Sequence, residues 1–338
     1  MKLTIYDIAK ALDLAPSTIS KVINNKGKVS QKTRTRVLQY IKEVGYVPTS
    51  SARMLKSERT YQIGIVFSED LQIGLEHSFF SSILQHFKNY VEKKGYELSF
   101  IVQKLGHNHL SYYEWCINKK VDGVYIVVGD YHDKGILELA SKDIPVVSTD
   151  ILLDGVKTII SNNKQGIYLS LDYFFKEAKL SNVGMIYGPL RSKAFKARYD
   201  AFYQYFKEHN LTPYEPAIIE SESFGFTSGY NACLKLIKQK QLPEGLIVGS
   251  DEIAVGVIKC LNDHNIKIPE EIQLIGFDDV VFARYVTPSL TTIRQDRVKM
   301  GELAAEYLLA MIEKEDIELK DKEIVDVTLV KRETTKNG

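Results

Sequence analysis

Residues 4–60 read TIYDIAKALDLAPSTISKVINNKGKVSQKTRTRVLQYIKEVGYVPTSSARMLKSERT. The periodicity of this stretch sets the organisation of the whole chain. Thr4 can cap a helix in which Ile5, Ile8, Ala9 and Leu12 recur at helical spacing. That pattern stops at Asp13, whose short polar side chain tolerates a left-handed turn. Pro16 suits the first position of a second helix, with Ile19, Val22 and Ile23 inward and Ser17, Ser20 and Lys21 outward. Ser30 can cap a third helix carrying Val37, Leu38, Ile41 and Val44, which Gly45 ends. Pro48 then breaks the chain. Thr49 or Ser50 can start two more helical turns, too few to be stable alone in water.

Two short helices joined by a tight turn and closed by a third match the helix-turn-helix plan, whose second helix enters the DNA major groove. Charge agrees with this plan. Residues 1–60 hold twelve Lys/Arg against four acids, a net +8, whereas the rest of the chain nets −7 within an overall +1. A basic head on a mildly acidic body suits contact with a polyanion through the head alone, and equally a merely solvated basic surface; charge by itself leaves both readings open. The bland alternative, a three-helix protein-interaction module, explains the helices but not the short capped segment that follows.

Beyond Tyr61, β-rich runs such as Gln62 to Phe67, Gly123 to Val128, Pro145 to Thr149, Gly245 to Gly249 and Ile272 to Phe277 alternate with longer amphipathic stretches. This rhythm means parallel sheets flanked by helices, with ligands at the carboxyl ends of strands. No apolar run approaches a membrane span and the N-terminus is polar rather than signal-like, so a cytoplasmic protein is expected. Cys116, Cys233 and Cys260 lack CxxC spacing and are expected to be buried thiols. His107-Asn108-His109 reads as a solvated loop, not a metal site. No phosphate-cradling glycine motif follows a strand and no Gly-x-Ser-x-Gly elbow is present. Neither cofactor nor enzymatic activity is expected.

The quoted stretch resembles the headpiece and hinge of the lactose/galactose repressor family without a gap. The body resembles that family's periplasmic-binding-protein-like core through HSFFSSIL, KKVDGVYIV, IPVVSTD, GPLRSKAFKARYDAF, GFTSGYNA, VGSDEIAVGV, IPEEIQLIGFDD and TPSLTTIRQD. The resemblance implies a small all-α helix-turn-helix headpiece (1–47), a hinge helix and linker (48–60), and an α/β core (61–338). That core would consist of two doubly wound parallel-sheet subdomains: an N-subdomain of about 61–160 and 291–322, and a C-subdomain of about 161–290 and 323–332. It implies DNA contact by Thr4, Tyr6, Pro16, Ser17, Thr18, Ser20, Lys21 and Asn24, with Arg53 and Lys56 touching phosphate or the minor groove and Leu55 a minor-groove wedge. It implies an effector cleft lined by Ser68, Phe79, Asp150, Arg198, Phe224, Asp251 and Asp278. Carboxylates, an arginine fork and aromatic faces suit a sugar or sugar derivative, with a purine or other metabolite as the alternative. Arg297 stands where one relative has an aromatic in its pocket, which leaves an anionic effector open.

Many relatives carry glycine at the place of Asp13, a capping serine at that of Ala15, and arginine at that of Lys21. The expected partners are palindromic operator DNA, a small effector and a second copy of the chain, since the end VKRETTKNG has no apolar heptads for a tetramer. No membrane partner is expected. Val298, Ala305 and Glu306 fall where some family members grip a phosphorylated carrier protein. A glutamate there would repel a phosphoserine, so that corepressor is not expected. The function implied is repression of a carbohydrate-utilisation operon, relieved by effector or, less commonly, strengthened by it. A periplasmic-type solute-binding protein shares the body but not the basic head.

Overall fold

In the computed structural model, which describes residues 3–23, 27–46, 59–68, 74–129 and 131–336, the chain forms two units, Met1–Thr60 and Tyr61–Gly338. The first holds α1 (Ile5–Leu12), α2 (Pro16–Ile23) and α3 (Gln31–Glu43). Thr4 and Asp7 form a reciprocal capping box on α1. Asp13 ends α1 at φ 51°, and Ser30 caps α3 by accepting from the Thr33 N–H. Ile8, Leu12, Ile19, Val22 and Val37 make the core of this unit. Leu38, expected inside, is 48% exposed. Val37, Ile41 and Val44 share one face of α3, and Leu38 lies about 100° further round.

The second unit contains two six-stranded sheets. Before the first crossing the chain forms β1 (Gln62–Phe67), α4 (Ser78–Lys93), β2 (Glu97–Ile101), a hairpin of β3 (Lys104–Leu105) and β4 (Asn108–His109), and α5 (Tyr112–Lys119). It continues through β5 (Gly123–Val128), α6 (Lys134–Ala140), β6 (Val146–Thr149) and β7 (Lys157–Ser161). Beyond the crossing come α7 (Asn163–Asp172), β8 (Val183–Tyr187), α8 (Lys193–Glu208), β9 (Ile218–Glu220) and α9 (Phe226–Gln239). β10 (Gly245–Val248), α10 (Asp251–Asp263), β11 (Gln273–Asp278), β12 (Thr292–Gln295), α11 (Arg297–Glu313), β13 (Lys322–Val325) and β14 (Val327–Val330) complete the chain.

The strand orders are β13-β7-β6-β5-β1-β2 and β14-β12-β11-β10-β8-β9. Every pairing in them is parallel except β12 with β14. Parallel strands buried on both faces explain continuous apolar runs such as Gly123 to Val128, all six of which are buried. α4 and α11 cover one face of the first sheet through Phe87, Val91, Met300 and Leu308. Tyr112, Trp115, Ile136 and Leu139 cover the other. The second sheet lies between α7 with α8 and α9 with α10.

The crossings between sheets fall next to Asn162, Asp296 and Asp326. The last two therefore come a few residues later than expected. Thr292–Gln295 pairs with β11 in the second sheet and Lys322–Val325 with β7 in the first. Hydrogen-bonded register, not the end of an apolar run, sets where the chain changes sheet. The His107 segment is the turn and second strand of an exposed hairpin, not an open loop. All three cysteines are buried and free. Among the described residues no helix is long and apolar enough to cross a membrane.

Candidate functional site

Two surfaces carry chemistry, one in each unit. In the first, α2 presents a polar face: Pro16, Ser17 and Lys21 are exposed, and Thr18 and Ser20 are half-buried. Ala15 gives α2 a backbone acceptor for the Thr18 and Ile19 N–H groups but has no side-chain oxygen to cap it. Tyr6 projects from α1 at 74% exposed, whereas the Thr4 hydroxyl is engaged with Asp7. Asn24, Arg53, Leu55 and Lys56 lie outside the described residues.

In the second unit a cleft opens between the carboxyl ends of the two sheets, as doubly wound sheets dictate. Of the seven residues expected there, Phe79, Asp150, Arg198, Phe224 and Asp278 line it. Arg198 is its electrostatic centre. α8 carries it inward, 4% exposed, where its Nε donates to Asn163 Oδ1 at 2.7 Å and one Nη to the Gly249 carbonyl. Its other Nη stands 3.9 Å from Asp278, and the guanidinium lies 3.7 Å over the Phe277 ring. Both carboxylates of the wall sit on positive-φ backbone, Asp150 at 59° and Asp278 at 124°. Such strain in non-glycine residues gathers at ligand sites.

Burial pushes the Asp278 carboxyl up to about 7 and Asp150 to about 6, in each case against the pull of Arg198. The cleft thus sets the buried Arg198 guanidinium near two carboxyl groups that can accept from ligand donors. Rings close the other sides. Phe79 and Phe80 meet edge-to-face at 5.1 Å, Phe195 and Phe224 tilt together at 5.6 Å, and Lys193 lies 4.2 Å over Tyr131.

Ser68 and Asp251 are not on the wall. Ser68 donates to Asp133 Oδ2 at 2.7 Å, and Asp133 caps α6. Asp251 is fully buried. It accepts from Thr292 Oγ1 at 2.6 Å and from the Val280 N–H at 3.0 Å, bracing the turn that carries Asp278. Both follow strand ends, as expected, but their short side chains are taken up by structural partners. Arg297 also stands off the wall, as the first residue of α11. Sequence reading missed His77, Phe80, Tyr131, Arg191, Lys193 and Phe195, which do line it. Tyr131 lies just beyond β5, and the other five lie at or beside the start of α4 or α8. Those are positions that the strand-end rule could have flagged.

Comparison with known proteins fits these two surfaces. Residues 4–49 match the family described as bacterial regulatory proteins, lacI family, and residues 173–335 match a periplasmic binding protein-like domain. The HTH-type transcriptional repressor PurR of Proteus mirabilis is 31% identical over 345 residues, spanning 99% of this chain and 97% of its own. The chain belongs to the lacI family of bacterial regulatory proteins. The PurR repressor of Photorhabdus laumondii is 32% identical over 318 residues, spanning 91% of this chain and 90% of its own. Among solved structures, the lac repressor dimer bound to operator and the anti-inducer ONPF has a TM-score of 0.82 at 22% identity, with 99% of both chains covered. That likeness establishes a shared fold. As a lacI-family member, the chain is a DNA-binding transcriptional repressor.

Proposed function

We propose that this repressor binds a two-fold-symmetric operator as a homodimer and that a small ligand in the cleft sets its grip. The observation that carries this reading is the cleft itself: a buried guanidinium between two strained carboxylates, covered by aromatic rings. In the headpiece, Ser17 and Lys21 of α2 read base edges, with Pro16, Thr18 and Ser20 beside them and Thr4, Tyr6 and Asn24 steadying the duplex backbone. Lys21 offers a point charge where an arginine would offer a fork, so its contact discriminates less sharply between bases. Arg53, Leu55 and Lys56 serve the minor groove, Leu55 as a wedge.

A second copy has surfaces to cover. Phe100 is exposed on the edge strand β2 beside Leu75, which is 53% exposed, and Val281 and Tyr285 are 66% and 78% exposed beyond β11. Leu75 and Phe100 border one surface groove, and neighbouring exposed apolar groups of this kind suit an interface. Ligand closure of the cleft shifts the first-sheet subdomains of the dimer and so the spacing of the two reading heads. A few kcal/mol of differential affinity suffices to change operator occupancy a hundredfold. The protein works beside DNA, in the cytoplasm.

The ligand is a sugar or sugar derivative: Asp150 and Asp278 accept from its hydroxyls, Arg198 donates, and Phe224 covers a ring face. On this reading the controlled genes serve carbohydrate use. A second reading, a flat heterocycle such as a purine, is favoured by the rings of Phe79, Phe80, Phe195 and Phe224 on the wall. A ligand bound only by the folded state raises its melting temperature, so a thermal-shift screen of sugars against nucleobases separates the two. The hit must also change operator affinity; a hit that leaves it unmoved rejects the switch. The carrier-protein surface is not proposed, because Ala305 is fully buried in α11.

A further inference from the structure

The start of α8 forms part of the cleft wall: Ser192, Lys193, Ala194 and Phe195 all line it. Ser192 is the N-cap residue, yet its side chain makes no capping hydrogen bond. Its own N–H donates to the Pro189 carbonyl, and its carbonyl accepts from the Lys196 N–H. Between these two bonds, the N–H groups of Lys193, Ala194 and Phe195 meet no acceptor among the described residues. Three such donors at the positive end of a sixteen-residue helix favour an anion.

The side chains on this wall add charge of the same sign. Arg191 and Lys193 are exposed and line the cleft. The Arg191 guanidinium lies 5.8 Å over the Phe224 ring and Lys193 Nζ 4.2 Å over that of Tyr131. Ring faces hold these two heads; among the described residues neither is in an ion pair. Lys196, the next cation along α8, differs, because it pairs with Asp200 one turn on. The buried Arg198 spends its Nε on Asn163 and one Nη on the Gly249 carbonyl. Its other Nη has Asp278 at 3.9 Å, beyond hydrogen-bond reach. Three cations therefore meet two carboxylates, Asp150 and Asp278, on the wall. A ligand of hydroxyls alone would take water from these donors without bringing charge. An oxyanion brings both the acceptors and the charge.

We propose that the cleft ligand is anionic: a phosphate or carboxylate group sits at the start of α8 between Arg191 and Lys193, and the ring body lies against Arg198 and Phe224. The inference rests on the reading of the cleft as the effector site and names the class of effector.

The full chain, free of DNA, is titrated with inorganic phosphate at constant ionic strength, with phosphorus NMR line broadening and melting temperature as readouts. The expected result is saturable millimolar binding that weakens about tenfold in the double variant Arg191→Gln, Lys193→Gln, which removes both charges. Both positions are exposed, so without phosphate this variant should melt as the parent does. Ser192→Asp supplies an internal acceptor for the same N–H groups; it should exclude phosphate without loss of stability. No saturable binding, or equal binding in either variant, overturns the proposal, the latter because the phosphate is then held elsewhere, as on the basic headpiece. Matched probes then give the ligand body: glucose with glucose phosphate and gluconate, and adenosine with adenosine monophosphate. In the set that binds, a charged member should bind at least about tenfold more tightly than its uncharged parent. An uncharged parent that binds as tightly also overturns the proposal. Phosphate binding needs no operator. A chain that takes phosphate at α8 while its operator affinity never moves rejects the switch and leaves this site standing, and the converse rejects the anion alone.

Discussion

Arg198 concentrates the consequences that belong to single side chains. Its guanidinium is shared among Asn163, the Gly249 carbonyl and Asp278, so no smaller residue can satisfy those acceptors. Arg198→Ala should weaken ligand binding on the order of a hundredfold, since losing one partner of a buried hydrogen-bonded charge costs about 2–5 kcal/mol. Ligand-free operator affinity should stay within about twofold; anisotropy of labelled operator reads both. Asp278 carries a pH prediction. Burial raises its carboxyl from 3.8 to about 7, so between those pH values the folded chain binds more protons than the unfolded chain. Stability therefore falls as pH rises through this window. Asp278→Asn keeps an oxygen for the Gln295 amide and removes the titration, so its melting temperature should decline less from pH 5 to 8 than that of the parent. Parallel declines would show that burial does not penalise this carboxylate. Arg198 and Asp278 were legible as sequence because each sits in a distinctive motif. Asp251, in a distinctive motif, and Ser68, just beyond the first strand, do not line the cleft because the carboxylate and hydroxyl are spent on Thr292, Val280 and Asp133.

Helix pairs set the rigidity on which the cleft depends. α9 and α10 approach so closely that a Cβ on Gly229 would lie 2.0 Å from the Ile253 carbonyl, and one on Gly256 would lie 2.0 Å from that of Phe226. Backbone cannot yield as a side-chain tip does. Gly229→Ala should cost about 3 kcal/mol, the upper end of the usual penalty for overpacking, read as a lower urea midpoint for the core. A loss under about 0.5 kcal/mol would mean that the helices can separate freely. At this scale the sequence was most readable where period and caps agree. α1 to α3 start at Thr4, Pro16 and Ser30 as their cap chemistry requires. α11 gives a weak signal in the sequence because Met300, Ala304, Ala305, Leu308, Leu309 and Ile312 are all buried, which blurs a one-sided stripe. β12 and β13 mix polar Arg294, Gln295, Lys322 and Glu323 among their apolar positions, so neither forms a continuous apolar run, and that displaced the last two crossings.

The whole molecule joins a reader of DNA to a sensor of small molecules. The helix-turn-helix pattern located the reader, and the split of +8 in the first sixty residues against −7 in the remainder agrees with it. What no single-chain reading contains is the identity of the ligand, since that depends on how hydroxyls or ring nitrogens fill a space that several loops define together. The central claim is that operator recognition and cleft occupancy are thermodynamically linked, and linkage is reciprocal. The most direct measurement is to select duplexes from a random pool with the purified repressor. Binding of the winning sequence is then titrated at fixed salt, with and without the cleft ligand, for the parent and for Arg198→Ala. The expected result is a two-fold-symmetric site whose affinity changes at least tenfold with ligand in the parent and stays constant in Arg198→Ala. No enriched sequence, or an equal response in both proteins, would contradict it.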